Sequence, residues 1–324
     1  MYKPVLFEKD ILDIPKAFRL SNKNYVVWKS QRKFYCMPDR CPHRAAKLSM
    51  GRIVDKTIEC PYHGWRFDTN GVCTMIPQLD AAKPIPKSCH LPTLPVQMVD
   101  GILWVPEKGI RNDPIDFQCT KDPNAVVSNY YLEAPYNYYL QIENLLDPAH
   151  LHFIHDGFQG DREKASTIVV KHLYEDDTKL YGYFEHMSNT PDIEISFMKP
   201  YVVDVSIRDK KTKTILRKNI IYVSPINDRS CNVLFRDVAF KDTLLPRNPF
   251  LKFHGEMLFQ RLSNDYQFLN MQLIDSIMEQ DIRILKDQQE NITSYLDEKY
   301  VMPAECDVLI TSFRKWCKNN ILTV

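Results

Sequence analysis

Short β-prone runs fill the first hundred residues: Tyr25-Val26-Val27-Trp28, Lys33-Phe34-Tyr35-Cys36 and Gly101-Ile102-Leu103-Trp104-Val105. Pro42, Pro61, Gly64, Gly71, Pro77 and Pro92 punctuate them. The pattern predicts a small all-β domain ending near Pro106, with the boundary set at 1–110, and a polar connector from Glu107 to Asn124. Residues 111–324 mix two periodicities. Ile168-Val169-Val170, Leu180 to Phe184, Tyr201 to Val205, Asn219 to Val223 and Asn232 to Phe235 read as strands of an antiparallel sheet. Tyr139 to about Ile154, and about Ser263 to Gln289, have helical spacing. The fold class is therefore α+β: an all-β domain followed by an antiparallel sheet with helices.

Composition narrows the function. The chain has 324 residues, 44% hydrophobic and 26% charged, which are ordinary globular values. Forty-two basic residues against 41 acidic ones leave a net charge of +1. That gives no excess for holding a nucleic-acid backbone or an anionic membrane. The run Lys210-Lys211-Thr212-Lys213 is expected to be a solvated loop or strand edge. Nine glycines form neither GxGxxG nor GxxxxGK[ST], so no nucleotide-binding loop is visible. The start MYKPVLFEKDILDIPKAF has no apolar core of a signal peptide, and no stretch approaches the ~18 apolar residues of a membrane span. The expectation is a cytoplasmic protein whose nine scattered cysteines are thiols or metal ligands rather than disulfides.

The strongest chemical signal is Cys41-Pro42-His43, then sixteen residues, then Cys60-Pro61-Tyr62-His63-Gly64-Trp65. Two thiolates and two imidazoles suit a tetrahedral zinc. They also suit a [2Fe–2S] cluster with two Cys on one iron and two His on the other. Zinc fingers tend to pair like with like. Here each loop offers one Cys and one His, which favours two loops gripping opposite irons. Trp65 and the prolines would shield the cluster edge. The remaining seven cysteines read as small buried or surface residues.

CPHRAAKLSMGRI and CPYHGWRFDTNGVCTMIP resemble the Rieske domain of Rieske-type non-haem iron oxygenases. The flavour is similar to pheophorbide a oxygenase-like proteins and to the hydroxylases of saxitoxin biosynthesis. The resemblance extends to FIHDGFQGDR and FRKWCKNN, and thus over nearly the whole chain. A longer C-terminus with a CxxC motif and membrane anchors, as in the plant proteins, is not part of this sequence. The resemblance implies Cys41 and Cys60 on one iron, His43 and His63 on the other, and a helix-grip catalytic domain.

The segment ENLLDPAHLHFIH holds Asn144, Asp147, His150, His152 and His155 in an N-x2-D-x2-H-x4-H pattern. It matches the family's catalytic motif, with His150 and His155 as iron ligands. Residues five apart point about 140° away from each other on a regular helix. Both rings reach one metal only if the segment is bent, bulged or ended between them, and Pro148 hints at irregularity. His152 competes for a ligand role, and otherwise should be half-exposed or face the pocket. The carboxylate is sought in IDSIMEQDIRIL, where Ile274, Ile277, Met278 and Leu285 form one stripe and Asp281 lies inside it. A carboxylate there is costly unless paired or bound to metal, and the family places its third ligand in a similar segment. Gln288 shares that face. Asp147 is three residues before His150, and its counterpart in the family bonds a ligating His. Asn144's counterpart lies near the iron.

These readings predict an oxygenase, most simply a monooxygenase, that acts on a small organic molecule by hydroxylation, demethylation or ring cleavage. The cofactors are a Rieske [2Fe–2S] cluster, mononuclear Fe(II) and O2. Electrons would come from NAD(P)H through a separate flavin reductase, with or without a ferredoxin, and the resemblance implies a homotrimer. The rival is an electron-transfer or redox-sensing protein with a vestigial iron site. Tyr136, Tyr138, Tyr139, Phe153 and Phe158 are candidate pocket aromatics, although aromatics beside a helix more often belong to the core.

Overall fold

Every second side chain of Lys179–His186 is buried, as a strand with one face on a core requires. In the computed structural model this strand lies within a seven-stranded antiparallel sheet. The structure describes residues 2–11, 14–106, 112–158, 160–187, 190–240, 272–292, 294–295 and 297–320. The chain divides into two compact units, Met1–Asp116 and Phe117–Thr323. The boundary expected between 110 and 111 falls outside the described residues.

The first unit is built from β1 (Tyr2–Phe7), β2 (Lys16–Leu20), β3 (Lys23–Ser30), β4 (Lys33–Pro38), β5 (Arg52–Val54), β6 (Thr57–Glu59), β7 (Arg66–Phe67), β8 (Cys73–Met75), β9 (Gln97–Val99) and β10 (Ile102–Pro106). They form three small antiparallel sheets, ordered β1-β10-β9, β2-β3-β4 and β5-β6-β7-β8. Ser21-Asn22 and Gln31-Arg32 close the two tight hairpins of the second sheet, all four with positive φ. That matches the turn that follows the right-handed strand twist. One core cluster contains Val26, Trp28, Met37, Ile58 and Phe67, and Cys41 and Cys60 belong to it.

The second unit holds β11 (Ala125–Ala134), α1 (Tyr138–Leu146), α2 (Leu151–Ile154), β12 (Ile168–Glu175), β13 (Lys179–His186), β14 (Asp192–Met198), β15 (Val202–Arg208), β16 (Ile215–Asn227), β17 (Ser230–Phe240), α3 (272–291) and α4 (Val308–Asn319). The sheet order is β11-β17-β16-β15-β14-β13-β12. Strands β12 to β17 form a meander, and β11 returns to pair with β17 from Ala125↔Phe240 to Ala134↔Cys231. Helix α1 packs on β15 and β16, and α4 on β13 and α1. The buried Glu143 of α1 accepts from Tyr295 (2.5 Å) and from Arg314 of α4 (2.9 Å), so a charge taken out of water is paired and hydrogen-bonded.

Several expectations change. The single helix expected from Tyr139 to Ile154 is two, parted at Asp147–His150. Of the helix expected over 263–289, residues 263–271 lie outside the described residues, and helix runs from 272 to 291. Strands β11 and β14 were not expected. The basic run is not simply solvated: Lys210 donates to the His186 carbonyl, and Lys213 pairs with Asp192 (2.6 Å) and Glu185 (3.1 Å). All nine cysteines are free thiols. No helix among the described residues is long and apolar enough to cross a membrane.

Candidate metal centres

Two loops of the first unit share one hydrogen-bond frame. The Cys41 N–H donates to the Ala46 carbonyl (2.9 Å), and the Cys60 N–H donates to the Trp65 carbonyl (2.8 Å). Four residues beyond each cysteine, the Ala45 and Gly64 N–H groups donate back to the Cys41 and Cys60 carbonyls, at 2.9 and 3.1 Å. Both of those residues are left-handed, with φ of 61° and 71°. Gly64 takes that conformation at no steric cost, whereas Ala45 carries a Cβ. Buried Asp39 closes the stem of the first loop by accepting from the Ser49 N–H (2.7 Å) and hydroxyl (2.6 Å).

The two loops place sulfur inside and imidazole outside. Cys41 and Cys60 are buried, His43 is exposed and His63 half-buried. The two rings meet at 4.5 Å between centroids, and Trp65 stacks on His43 at 4.7 Å. Burial, with the Cys60 thiol beside it, pushes the Cys41 thiol up to about 12, so Cys41 needs a cation beside it to become a thiolate. Desolvation, then the charges of His43 and Arg44, lower the His63 pKa and favour the neutral ring that binds metal. A zinc would draw all four donors to one point. Among the described residues, the His/Cys/Asp/Glu group whose ligand atoms converge within 4.8 Å is a different one: His150, His155 and Asp281. Buried sulfurs on one side and outer imidazoles on the other fit a two-iron cluster with two Cys on one iron and two His on the other.

That convergence depends on the break in the helix. α1 ends at Leu146. Asp147 is extended (φ −93°, ψ 109°), and its Oδ1 accepts the Ala149 N–H at 2.7 Å. Pro148 has no N–H to continue the ladder. One turn follows, with the Phe153 and Ile154 N–H groups both on the His150 carbonyl at 2.9 Å. His150 stands before this turn and His155 after it, so side chains that would diverge on a straight helix meet, with ring centroids 5.3 Å apart. Gly160 lies against the turn. A Cβ there would be 2.1 Å from the Leu151 carbonyl oxygen and 2.5 Å from His152 Cα, so only glycine fits.

Asp281 comes from α3, buried in the stripe with Ile274, Ile277, Met278 and Leu285, while Asp275, Glu279 and Asp287 are exposed. Its Oδ1 is 3.3 Å from His155 Nε2 and accepts from Asn144 Nδ2 at 3.3 Å. His150 Nδ1 donates to the Asp147 carbonyl at 2.8 Å, with Asp147 Oδ2 at 3.7 Å. His155 Nδ1 donates to Gln280 Oε1 at 2.9 Å. Both rings thus have Nδ1 engaged and Nε2 available, the arrangement that orients ligating histidines. Burial works to lower the His150 pKa, but the bond and charge of Asp147 and the charge of Asp281 outweigh it and raise it. This anionic surrounding favours a bound cation.

His152 is neither half-exposed nor turned to the pocket. It is buried, its Nδ1 faces the Asp161 backbone (3.0 Å), and its ring edges His186 at 5.4 Å. The five candidate aromatics also lie elsewhere: Tyr136, Tyr138 and Tyr139 are core, and Phe153 and Phe158 are exposed. A cavity opens on the triad from the sheet side, and its walls are mostly aliphatic, with Ile195, Val205, Ile207 and Ile221 across from Ile277 and Met278, and with Arg217 and Asn219 among the polar exceptions. A second cavity reaches Asn144, Asp147, His150 and Asp281 from the side of residues 299–302, and Gln288 lines it.

The Rieske [2Fe–2S] domain family matches residues 2–95, and the vanillate O-demethylase oxygenase C-terminal domain family matches residues 134–195. The oxygenase component of dicamba O-demethylase from Stenotrophomonas maltophilia is 30% identical over 70% of this chain and 71% of its own. The chain belongs to the Rieske-type non-haem iron oxygenases. Pheophorbide a oxygenase of Oryza sativa subsp. japonica is 26% identical over 97% of the chain and 63% of its own. The chain spans about half the length of the chloroplast relatives it matches. The crystal structure of dicamba monooxygenase bound to dicamba superposes with a TM-score of 0.77 over 98% of this chain and 96% of that one, at 17% identity, a likeness of fold.

Within this Rieske oxygenase fold, Gln280 and Gly160 escaped the sequence reading. Gln280 is an unremarked amide beside Asp281, and Gly160 sits in a loop whose approach to α2 only the fold reveals. Gln280→Leu is expected to weaken Fe(II) binding at the triad by about 10- to 100-fold, the usual cost of losing a histidine's outer partner. An iron titration of the mononuclear site, followed beside an unchanged Rieske spectrum, measures it.

Proposed function

We propose that this protein uses O2 and electrons from a separate NAD(P)H-dependent reductase, directly or through a ferredoxin, to hydroxylate or oxidatively demethylate a small cyclic organic substrate. The observation that carries this reading is the convergence of His150, His155 and Asp281 at the end of an aliphatic cavity, in a chain that also carries a Rieske domain. The name of dicamba O-demethylase, a relative, supports removal of an O-linked methyl group as one reaction type. Cys41 and Cys60 are assigned to one cluster iron, His43 and His63 to the other, and the triad to mononuclear Fe(II).

When bound, the irons supply one-electron and O2 chemistry. The chain's own residues do the positioning. Asn144 holds the Asp281 carboxylate, Gln280 and the Asp147 carbonyl fix the imidazoles, and the aliphatic walls exclude water around the reacting group. The Asp147 carboxylate, a quarter exposed beside His150, is assigned the family role of linking that ring outward, to a neighbouring subunit's Rieske histidine in a homotrimer. The cytoplasm is the proposed location.

Protein purified without oxygen should be brown and hold about three irons per chain, two in the cluster and one in the triad. Supplied with a reductase and NADH, it should couple O2 uptake to oxidised product for some member of a panel of methoxy- and methyl-substituted rings. Zinc without sulfide would end the cluster assignment. O2 uptake with no product across the panel would favour the electron-transfer reading.

A further inference from the structure

Gln141 of α1 lines the cavity and is almost fully buried, at 1% exposure. One end of its carboxamide is taken. Tyr136, itself fully buried, donates its O–H to Gln141 Oε1 at 2.7 Å. That bond settles which way round the carboxamide sits. Burial raises the Tyr136 pKa, so the phenol keeps its proton. Turning the carboxamide over would put an N–H against the phenol and strand that proton, which is costly in a buried place. Nε2 is therefore held at the other end. No acceptor stands against it among the described residues, and it is not sealed inside the protein. It touches open space, and the open space that Gln141 lines is the cavity. Three residues on, and on the same side of α1, Asn144 holds the Asp281 carboxylate. The two amides are about 4.5 Å apart along the helix axis. A leucine at 141 would fill the same space and leave no N–H to satisfy. A donor fixed in position by a buried phenol, in a mostly aliphatic wall, is suited to bonding a ligand.

We infer that Gln141 is a specificity-determining residue of the cavity, and that its Nε2 donates to an oxygen acceptor, a carbonyl or a carboxylate, on a substrate whose apolar body lies along the aliphatic wall. This inference rests on the oxygenase reading for the fate of that substrate but not for its binding. Tyr136 acts through Gln141 and is a positioning residue. It stops the carboxamide from offering its oxygen to the cavity, so the site selects acceptors and not donors. Gln141 and Asn144 stand one turn apart on one helix, so the acceptor is anchored within a few bonds of the group presented to the triad. A pocket built to hydrogen-bond a substrate group discriminates far more strongly against an analogue that lacks it than an aliphatic pocket discriminates by shape.

The test uses three probes of nearly equal shape: α-methylstyrene, acetophenone and benzoate. Acetophenone has a carbonyl oxygen where α-methylstyrene has a CH2 group. Binding to the metal-loaded full chain, with no reductant present, is followed by calorimetry. A purely aliphatic pocket would favour α-methylstyrene, because a carbonyl gives up its bonds to water on entry. With Gln141 donating, acetophenone, benzoate or both are expected to bind about three- to tenfold tighter than α-methylstyrene. Preference for acetophenone identifies a carbonyl substrate, and preference for benzoate a carboxylate. Gln141→Leu should erase the preference, but it strands the Tyr136 hydroxyl and lowers stability. The second variant therefore replaces both partners, Tyr136→Phe with Gln141→Leu, which removes donor and acceptor together at little cost to folding. In it the order should reverse, with α-methylstyrene bound at least as tightly as the oxygen probes. Wild-type protein that binds α-methylstyrene as tightly as both oxygen probes overturns the inference. So does a preference that survives the double variant, which would assign the oxygen probes to the metal or to another wall. Iron and sulfide content, measured on the same samples, reports on the oxygenase reading separately. A preference in protein that fails that analysis leaves the role of Gln141 standing.

Discussion

Asp281→Ala is expected to empty the mononuclear iron site and lower turnover by on the order of a hundredfold or more, while the Rieske absorption stays. The same holds for His155→Ala. The carboxylate is buried within an aliphatic stripe, 3.3 Å from His155 Nε2 and from Asn144 Nδ2. A carboxylate kept in such a place costs folding free energy and is compensated when it binds a cation. Asp281→Ala in metal-free protein should therefore melt no lower than the wild type, and by this argument somewhat higher. Thermal melts of both proteins, with and without Fe(II), check this. A large loss of stability in the metal-free variant would make Asp281 a structural residue. An Asp281→Ala protein with full iron content would remove it from the ligand set.

Cys60→Ser should have the opposite balance. Cys41 and Cys60 are part of the core cluster that includes Trp28, Ile58 and Phe67. Their loops have few apolar contacts of their own, with Pro42, His43, Arg44, Pro61 and Tyr62 all exposed. Binding energy at such a site is folding energy. The expected result is complete loss of the brown colour and a loss of several kcal/mol, a sizeable part of the 5–15 kcal/mol available to a typical domain. The measurements are visible absorption, and denaturant unfolding of the first unit followed by Trp28 and Trp104 fluorescence. A Cys60→Ser protein that keeps its colour and midpoint would refute the assignment.

The two ligand patterns were legible because each is local. Cys41 and His43 are two positions apart, Cys60 and His63 three, and His150 and His155 bracket one turn. Asp281 was legible for a different reason: a charge in an apolar helical stripe stands out on periodicity alone. What remained hidden needed the fold. The break at Asp147–His150 is set by side-chain capping of the Ala149 N–H and by Pro148 together, and the sequence indicated irregularity without its place. Strand β11 pairs with β17 about a hundred residues later, so its half-polar pattern had no local partner to identify it. The candidate aromatics do not line the cavity: α1 reaches it through Gln141, Asn144 and Leu145, and most of its wall comes from apolar side chains of β14 to β17 and α3. Gln280 shows the same limit, since its bond to His155 spans 125 positions.

Helices α1 and α3 are fastened to each other at two points. The Asn137 N–H at the start of α1 donates to Gln289 Oε1 (2.7 Å), and Asn144 near its end donates to Asp281. The ties run in opposite directions along the two helices, so the pair behaves as a braced frame that carries the carboxylate on one rail and leads directly into the histidine turn on the other. The sheet forms the floor beneath that frame. The side chains of the floor then set the depth of the chamber, while the frame sets the spacing among the three candidate ligand side chains. For engineering, the floor strands are the place to change the shape of what is bound, and the frame is the part to leave alone.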